Sequence, residues 1–287
     1  MISVKNLSYT YPKSKVKAVR NISFDVKDGE IFGFLGPSGA GKSTTQKLLI
    51  KLLQGFEGEV NVLNQPLSKW NGNYFAHIGV GFELPNHYLK LTGEENLKLF
   101  ASFYPRIAFN PKELLRMVEL EDHAKKPVES YSKGMKMRLN FVRALMHDPQ
   151  LLFLDEPTSG LDPGYARMIK DIIIDLKKKG KTIFLTTHNM HDADELCDRV
   201  AFMVDGELKL IGSPRELKLQ NGNRRVKVET REEGKLVTKD FEFSGLAENI
   251  DFLNSISNPN LQSIHSCEES LEKVFLRTTG ESLKQDL

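Results

Sequence analysis

The sequence predicts an α/β protein: a mostly parallel sheet entered through antiparallel β structure at the N-terminus, interrupted by a helical insertion and followed by a small α+β appendage. Three observations carry this reading. Ile31 to Leu35, Leu151 to Leu154 and Thr182 to Thr186 are short apolar or β-branched runs of the kind a parallel sheet buries on both faces. Tyr165 to Lys179, between the last two, reads as a helix and completes a βαβ unit. The hydrophobic period also lengthens to that of helices after Thr92, and the character changes again after Ser213.

In chain order, Ile2 to Leu7, Ile22 to Val26 and Val60 to Leu63 are rich in strand-forming residues. Thr92 with Glu95 makes a capping box ahead of Leu97, Phe100, Ala101 and Tyr104, which recur at helical spacing. Asn110-Pro111-Lys112-Glu113 opens a second helix by the same logic, so residues 85 to 145 form, roughly, the helical insertion. Val200 to Val204 and Glu207 to Ile211 flank Asp205-Gly206, a preferred hairpin turn, and close the sheet with an antiparallel edge. Ser213-Pro214-Arg215-Glu216 is a capping box with proline at the first helical position, and its helix stops at Asn221-Gly222. That boundary divides a domain over 1–212 from an appendage over 213–287. In the appendage we expect strands near Val226 to Val228, Phe241 to Phe243 and Leu261 to His265, with helices from Leu246 to about Ile256 and from Ser270 to Thr278. Internal repeats and low-complexity segments are absent.

The 287 residues balance 40 basic against 38 acidic side chains, a net charge of +2 that is a poor electrostatic footprint for a nucleic-acid binder. With 40% hydrophobic and 27% charged residues the chain excludes disorder and fibrous classes. Its densest apolar runs are strand-sized, well short of the roughly 18 residues of a membrane span. The opening Met1-Ile2-Ser3-Val4-Lys5 lacks the features of a secretion signal, and Cys197 and Cys267 stand far apart, so a reduced, cytosolic compartment is expected.

Gly36-Pro37-Ser38-Gly39-Ala40-Gly41-Lys42-Ser43-Thr44 fits the phosphate-loop pattern G-x-x-x-x-G-K-[ST], after the strand Ile31 to Leu35 and before an apolar helix over Leu48 to Leu53. The bare pattern arises by chance in about one chain in a hundred of this length; the strand-loop-helix setting makes it specific. Glycines let successive backbone N–H groups converge on phosphate oxygens, Lys42 neutralises the β- and γ-phosphates, and the Ser43 hydroxyl suits Mg²⁺. The fold is therefore expected to be a P-loop NTPase core. Asp155 and Glu156 end a buried strand at the sheet edge where the phosphate loop also sits, so the two elements should meet. Alone, such carboxylates are ordinarily solvated turn residues. Beside Lys42 they become a group that holds Mg²⁺ directly or through a bound water, Asp155, and a base for the attacking water, Glu156. Ser130 to Lys136 precedes a helix carrying Leu139, Val142 and Met146, where Ser132 by itself reads as an N-cap.

Phosphate loop, helical insertion, serine-glycine helix start, acidic strand end, Ser159-Gly160-Leu161-Asp162 and then His188 succeed one another in the order that resembles the ATP-binding subunit of ABC transporters, over about residues 1 to 215. The resemblance implies that Tyr131-Ser132-Lys133-Gly134-Met135 is the signature motif, altered from leucine-serine-glycine-glycine-glutamine. Its Ser132 and Gly134 would face the γ-phosphate of ATP held by a second copy. It implies that Asp162 lies in the loop passing between the two sites, that His188 contacts the γ-phosphate, and that Tyr11 stacks on adenine. Tyr9 is the weaker candidate, since an alternating aromatic in a strand is ordinarily packing. Glu83, in Ile78 to Glu83, stands where the family usually has a glutamine that reaches Mg²⁺ and water; a carboxylate serves Mg²⁺ but adds negative charge beside Glu156. Ser270 to Gly280 looks like the closing helix of the appendage in a branch of exporters for drugs, antibiotics and polysaccharides; otherwise it is an amphipathic helix with Leu271, Val274 and Phe275 on one face.

The same resemblance implies an ATP-hydrolysing subunit with ATP and Mg²⁺ as cofactors, a second copy of itself and separate transmembrane permease subunits as partners, and a peripheral location on the cytoplasmic face of the membrane. An ABC-type ATPase acting on ribosomes or DNA is the rival; such proteins usually carry two cassettes or long coiled coils, and neither is present in this sequence. An unrelated P-loop kinase or helicase leaves Ser132, Gly134 and His188 unexplained, and a silent regulator is at odds with Lys42, Asp155 and Glu156.

Overall fold

In the computed structural model, which describes residues 1–221, 225–232, 235–267 and 269–280, the chain forms two compact units, one holding Met1–Ile211 and the other beginning at Gly212. The first unit opens with β1 (Ile2–Thr10), β2 (Lys17–Val26), β3 (Ile31–Leu35), α1 (Lys42–Leu49), β4 (Glu57–Val62), β5 (Gln65–Pro66) and β6 (Ile78–Gly81). The insertion carries α2 (Gly93–Ala101), α3 (Pro111–Met117) and α4 (Lys133–Arg143). Beyond it come β7 (Leu151–Asp155), α5 (Pro163–Lys178), β8 (Thr182–Thr187), α6 (Met190–Leu196), β9 (Arg199–Val204) and β10 (Glu207–Gly212).

Alternating burial along β1 and β2 turns one face of an antiparallel sheet, ordered β2-β1-β4-β5, toward the core. The second sheet runs β10-β9-β3-β8-β7-β6, and its inner neighbours are parallel. Phenylalanines close the seam between them: Phe24 of β2 meets Phe34 of β3 edge-on at 4.9 Å, and Phe34 meets Phe184 of β8 at 4.9 Å. Each such buried ring contributes about 1.5–3 kcal/mol. Parallel pairing brings the C-terminal ends of β3, β7 and β8 to one edge, where the candidate nucleotide site forms.

Two elements differ from the sequence reading. The helix expected over Leu48 to Leu53 begins at Lys42 and ends at Leu49, because Lys51 takes a left-handed conformation, φ 61°, that breaks the hydrogen-bond ladder. β6 is a strand that the sequence pattern does not announce. Its Gly79 lies so close to the 144–149 turn that a Cβ there would sit 2.2 Å from the Ala144 carbonyl oxygen, so close approach outweighs the weak strand propensity of glycine.

In the insertion the capping boxes form as the sequence indicates: Glu95 and Glu113 accept hydrogen bonds from the backbone N–H of Thr92 and Asn110. Leu97, Leu114, Leu115, Leu139 and Val142 are fully buried where α2, α3 and α4 pack together.

The second unit contains α7 (Pro214–Asn221), β11 (Arg225–Glu232), β12 (Lys235–Glu242), α8 (Ile250–Ile256), β13 (Leu261–Cys267) and α9 (Leu271–Thr279). Its sheet is antiparallel, ordered β12-β11-β13, with Val226 opposite Phe241 on one side and Ser266 on the other. Val226, Val228 and Phe241 form a small core under Phe252 and Ile256 of α8. The helix expected from Leu246 is split, since Asn249 is extended and caps α8 by accepting the Phe252 N–H. In α9 the stripe Leu271, Val274 and Phe275 is buried, and α9 packs against α7. No described helix is long and apolar enough to cross a membrane.

Candidate nucleotide site

The loop between β3 and α1 owes its shape to glycine. Gly41 caps α1 with φ 106°, and a Cβ on it would lie 2.6 Å from the Ala18 carbonyl oxygen and 2.7 Å from Cε of Met203. No side chain caps α1 and no acidic residue occupies its first turn, so its leading N–H groups and positive dipole end face the loop. Lys42 is buried, and its ammonium donates to the Gly36 carbonyl at 2.8 Å and the Pro37 carbonyl at 2.9 Å. Burial lowers its pKa, opposed by the charges of Glu156, Asp155 and Glu83.

Asp155 ends β7 beside this loop. Its Oδ1 accepts from the Ser43 hydroxyl at 3.4 Å and from the Thr186 hydroxyl, whose oxygen also lies 3.1 Å from Gln46 Oε1. Burial raises the Asp155 pKa, and the hydrogen bonds from Thr186 and Ser43 hold it back. The adjoining hard oxygens of Ser43 and Asp155, next to Lys42 and the backbone N–H groups that open α1, are a donor set that suits Mg²⁺ and a polyphosphate.

Glu156 is buried with a left-handed backbone, φ 49°, a costly conformation for a non-glycine residue that turns the chain sharply at the strand end. Its Oε2 accepts from the Thr187 hydroxyl at 2.9 Å; its Oε1 accepts from the His188 backbone N–H at 2.8 Å and the His188 Nδ1–H at 2.7 Å. The hydrogen bond to Glu156 raises the His188 pKa, while 53% of the His188 side chain stays exposed.

Lys42, Ser43, Asp155, Glu156 and His188 therefore converge on one sheet edge. Glu83, exposed just beyond β6, stands close enough for its charge to raise the pKa of both Lys42 and His188. Tyr11 is 36% exposed and its hydroxyl hydrogen-bonds the Thr44 hydroxyl at 3.0 Å, whereas Tyr9 is 5% exposed and packs edge-on against Tyr11. Ser132 accepts the Met135 N–H at 3.2 Å as the N-cap of α4, and Asp162 occupies the N-cap position of α5. Among the described residues, no hydrogen bond or ion pair joins Ser132, Gly134 or Asp162 to the Lys42 cluster. Among the described residues, a Cβ on Gly134 would meet only Leu161, at 3.5 Å, and Ser132 Oγ, at 4.0 Å, so their packing does not demand glycine there.

Thr186, Thr187 and Gln46 join the site without having been expected there. For the two threonines the signal lies in the sequence: they close a strand whose centre, Ile183 to Leu185, is apolar, immediately before His188.

The segment around Glu83 is tied to α4 by side-chain hydrogen bonds. Asn140 donates to the Phe82 carbonyl at 2.7 Å, Arg143 to the Asn86 carbonyl at 2.6 Å, and His87 Nε2–H to the Lys136 carbonyl at 2.9 Å. His87 Nδ1 is buried and has no hydrogen-bond partner among the described residues. Burial pulls its pKa from 6.5 down to about 4, and the positive charges of Arg143 and Lys136 act in the same direction. A depressed native pKa contributes stability that is complete above pH 6.5 and is lost as pH falls toward 4. The thermal midpoint should therefore decline between pH 6.5 and 4, and His87→Gln should flatten that part of the curve. Parallel Tm–pH curves for the two proteins would contradict this.

The sequence profile of the ABC transporter family matches residues 19–159, and that of the fluoroquinolone efflux ABC transporter C-terminal domain matches residues 224–268. A fluoroquinolones export ATP-binding protein of Mycobacterium tuberculosis is 55% identical over 99% of this chain and 94% of its own length. The chain belongs to the ATP-binding subunits of ABC transporters. Another member of this ABC family, a linearmycin resistance ATP-binding protein of Bacillus subtilis, is 36% identical over 76% of the chain and 70% of its own length. Among solved ABC cassettes, a dimeric post-hydrolysis state bound to ADP and Pi superposes with a TM-score of 0.68 at 28% identity, covering 74% of this chain and 98% of that one. A dimeric bacterial ABC transporter cassette gives 0.69 at 29% identity over the same shares.

Proposed function

We propose that this subunit hydrolyses ATP with Mg²⁺ as a homodimer and drives drug export through separate membrane-spanning permease subunits, from the cytoplasmic face of the membrane. The observation that carries the proposal is the convergence of Lys42, Ser43, Asp155, Glu156 and His188 on one sheet edge. Residues 1–212 are the motor in this reading, with the insertion at about 85–145, and 213–287 form the appendage. Identity of 55% to a fluoroquinolones exporter subunit, together with the match over 224–268, supports a fluoroquinolone-like cargo.

In the proposed chemistry the loop N–H groups over 36–44 and Lys42 hold the phosphates, with Tyr11 against the base. Ser43 and Asp155, with Glu83 nearby, hold Mg²⁺, which when bound neutralises phosphate charge. Glu156 takes a proton from the water that attacks the γ-phosphorus, the bond from that phosphorus to the β–γ bridging oxygen breaks so that ADP leaves and inorganic phosphate remains, and His188 orients the carboxylate while donating toward the γ-phosphate. Ser132 and Gly134 complete the site of the second copy, and Asp162 lies between the two sites. That the fold leaves Gly134 free of steric demands supports a requirement set by a partner rather than by packing.

Membranes holding the protein with its permease should show Mg²⁺-dependent ATPase activity and lower fluoroquinolone accumulation in cells. Sedimentation with ribosomes instead of membranes would overturn the reading. The role of Glu83 is tested separately. Glu83→Gln keeps one oxygen and removes a charge, so ATP affinity holds or rises modestly; Glu83→Ala removes the oxygen and should raise the Mg²⁺ requirement markedly. Equal Mg²⁺ titrations for wild type and Glu83→Ala would exclude a ligand role.

A further inference from the structure

A second set of contacts links residues that closely follow Glu156 and His188 in the chain. Two residues beyond Glu156, the Thr158 hydroxyl donates to Asp192 Oδ2 at 2.6 Å, and Asp192 is four residues beyond His188. Asp192 is 6% exposed, and its other oxygen, Oδ1, accepts from the Lys170 ammonium at 3.2 Å. Lys170, 8% exposed on α5, also reaches Glu195 Oε2 at 2.5 Å, and Glu195 is held in turn by Arg167 at 2.5 Å. Asn189 fixes the start of α6 by accepting from the N–H groups of His191 and Asp192.

Burying an ammonium between two carboxylates is costly, and apolar residues would join α5 to α6 at least as firmly. What the ionic contact adds is direction. It aims one Asp192 oxygen at Thr158, near the start of the turn that runs from Glu156 to Asp162, the N-cap of α5. The turn is therefore fixed near both ends to elements that Lys170 joins: Thr158 to α6, and Asp162 to α5.

We infer that Thr158, Asp192 and Lys170 are positioning residues that lock the 156–162 turn to the helix following His188, so that the Glu156 carboxylate, the His188 imidazole and Asp162 move as one body. The inference rests on the proposed hydrolytic role of Glu156 and His188. Loss of the lock lets these two side chains drift from their shared geometry, which costs turnover while leaving the phosphate loop intact.

In the full chain, Thr158→Val and Asp192→Ala should each lower kcat about tenfold or more while KM for ATP stays within about twofold. The double variant should be no slower than the worse single one, since both remove the same tie. Thr158→Ser should restore wild-type turnover, and Lys170→Arg should outperform Lys170→Met. Thr158→Val is nearly isosteric and keeps the test open if Asp192→Ala fails to fold. Wild-type kcat in Thr158→Val, multiplicative losses in the double variant, or lowered Tm with unchanged kcat per folded molecule would overturn the inference. Should wild type show no turnover, the hydrolytic reading fails, and the lock is judged on the His188 ring NMR signal, identified by its loss in His188→Gln. A shift of that signal in Thr158→Val supports the lock, and an unmoved signal overturns it.

Discussion

Replacing Glu156 by glutamine is expected to lower ATP turnover by a factor of about 10² to 10⁴ and to leave nucleotide binding intact. Glutamine matches glutamate in size; its amide oxygen can take the place of Oε1 and accept from the His188 N–H, while its NH2 takes the place of Oε2 and can donate to the Thr187 hydroxyl oxygen, so the backbone turn at φ 49° survives. What disappears is the negative charge that takes the proton. Lys42, which holds phosphate in the proposed mechanism, loses one of the charges that oppose the effect of burial on its pKa, but keeps Asp155 and Glu83. ATP should therefore bind and persist. Gel filtration of Glu156→Gln in ATP should show a dimer that wild type forms only transiently. Turnover at the wild-type rate would remove Glu156 from the role of base, and a variant that stayed monomeric in ATP would count against closure around the nucleotide.

Local signals were legible and distant ones were not. The capping boxes at Thr92 and Asn110 and the loop over 36–44 are written within a few consecutive residues, each with a nearby hydrogen-bonding or conformational cause. The meeting of Lys42 with Asp155 follows from one further rule: a parallel sheet brings its strand ends to one edge. β6 escaped notice because Ile78-Gly79-Val80-Gly81 has weak strand propensity, and the reason for Gly79, the Ala144 carbonyl, is remote in sequence. The tie between Thr158 and Asp192 spans 34 positions and has no periodic signature; only the packing of α5 against α6 reveals it. The break at Asn249 was readable in principle, since asparagine favours N-caps, but the apolar residues on both sides suggested one continuous helix.

Gly134→Asp is expected to abolish turnover in the homodimer without unfolding the chain. Within one chain a new Cβ meets Leu161 at 3.5 Å and Ser132 Oγ at 4.0 Å, ordinary contacts, and α4 keeps its Ser132 cap. Across a dimer, the same carboxylate would stand against the phosphates bound by the partner, where like charge is strongly unfavourable. Lys42→Ala disables the other half of the site by removing the ammonium at the phosphate loop. The two lesions together reveal which chain supplies which half. If Ser132 and Gly134 act on the partner's nucleotide, a mixed dimer gathers both lesions into one site and leaves the other whole. If they act on the nucleotide of their own chain, each site carries one lesion and neither works. Random mixing of equal amounts makes half of the dimers mixed, so recovery approaches roughly a quarter of wild-type turnover. Nucleotide trapping provides a second readout where one damaged site silences its neighbour: the intact site of the mixed dimer should still hold one ATP. Absence of both recovered turnover and trapped ATP, in mixtures where the heterodimer has been isolated by two different affinity tags, would refute action across the dimer.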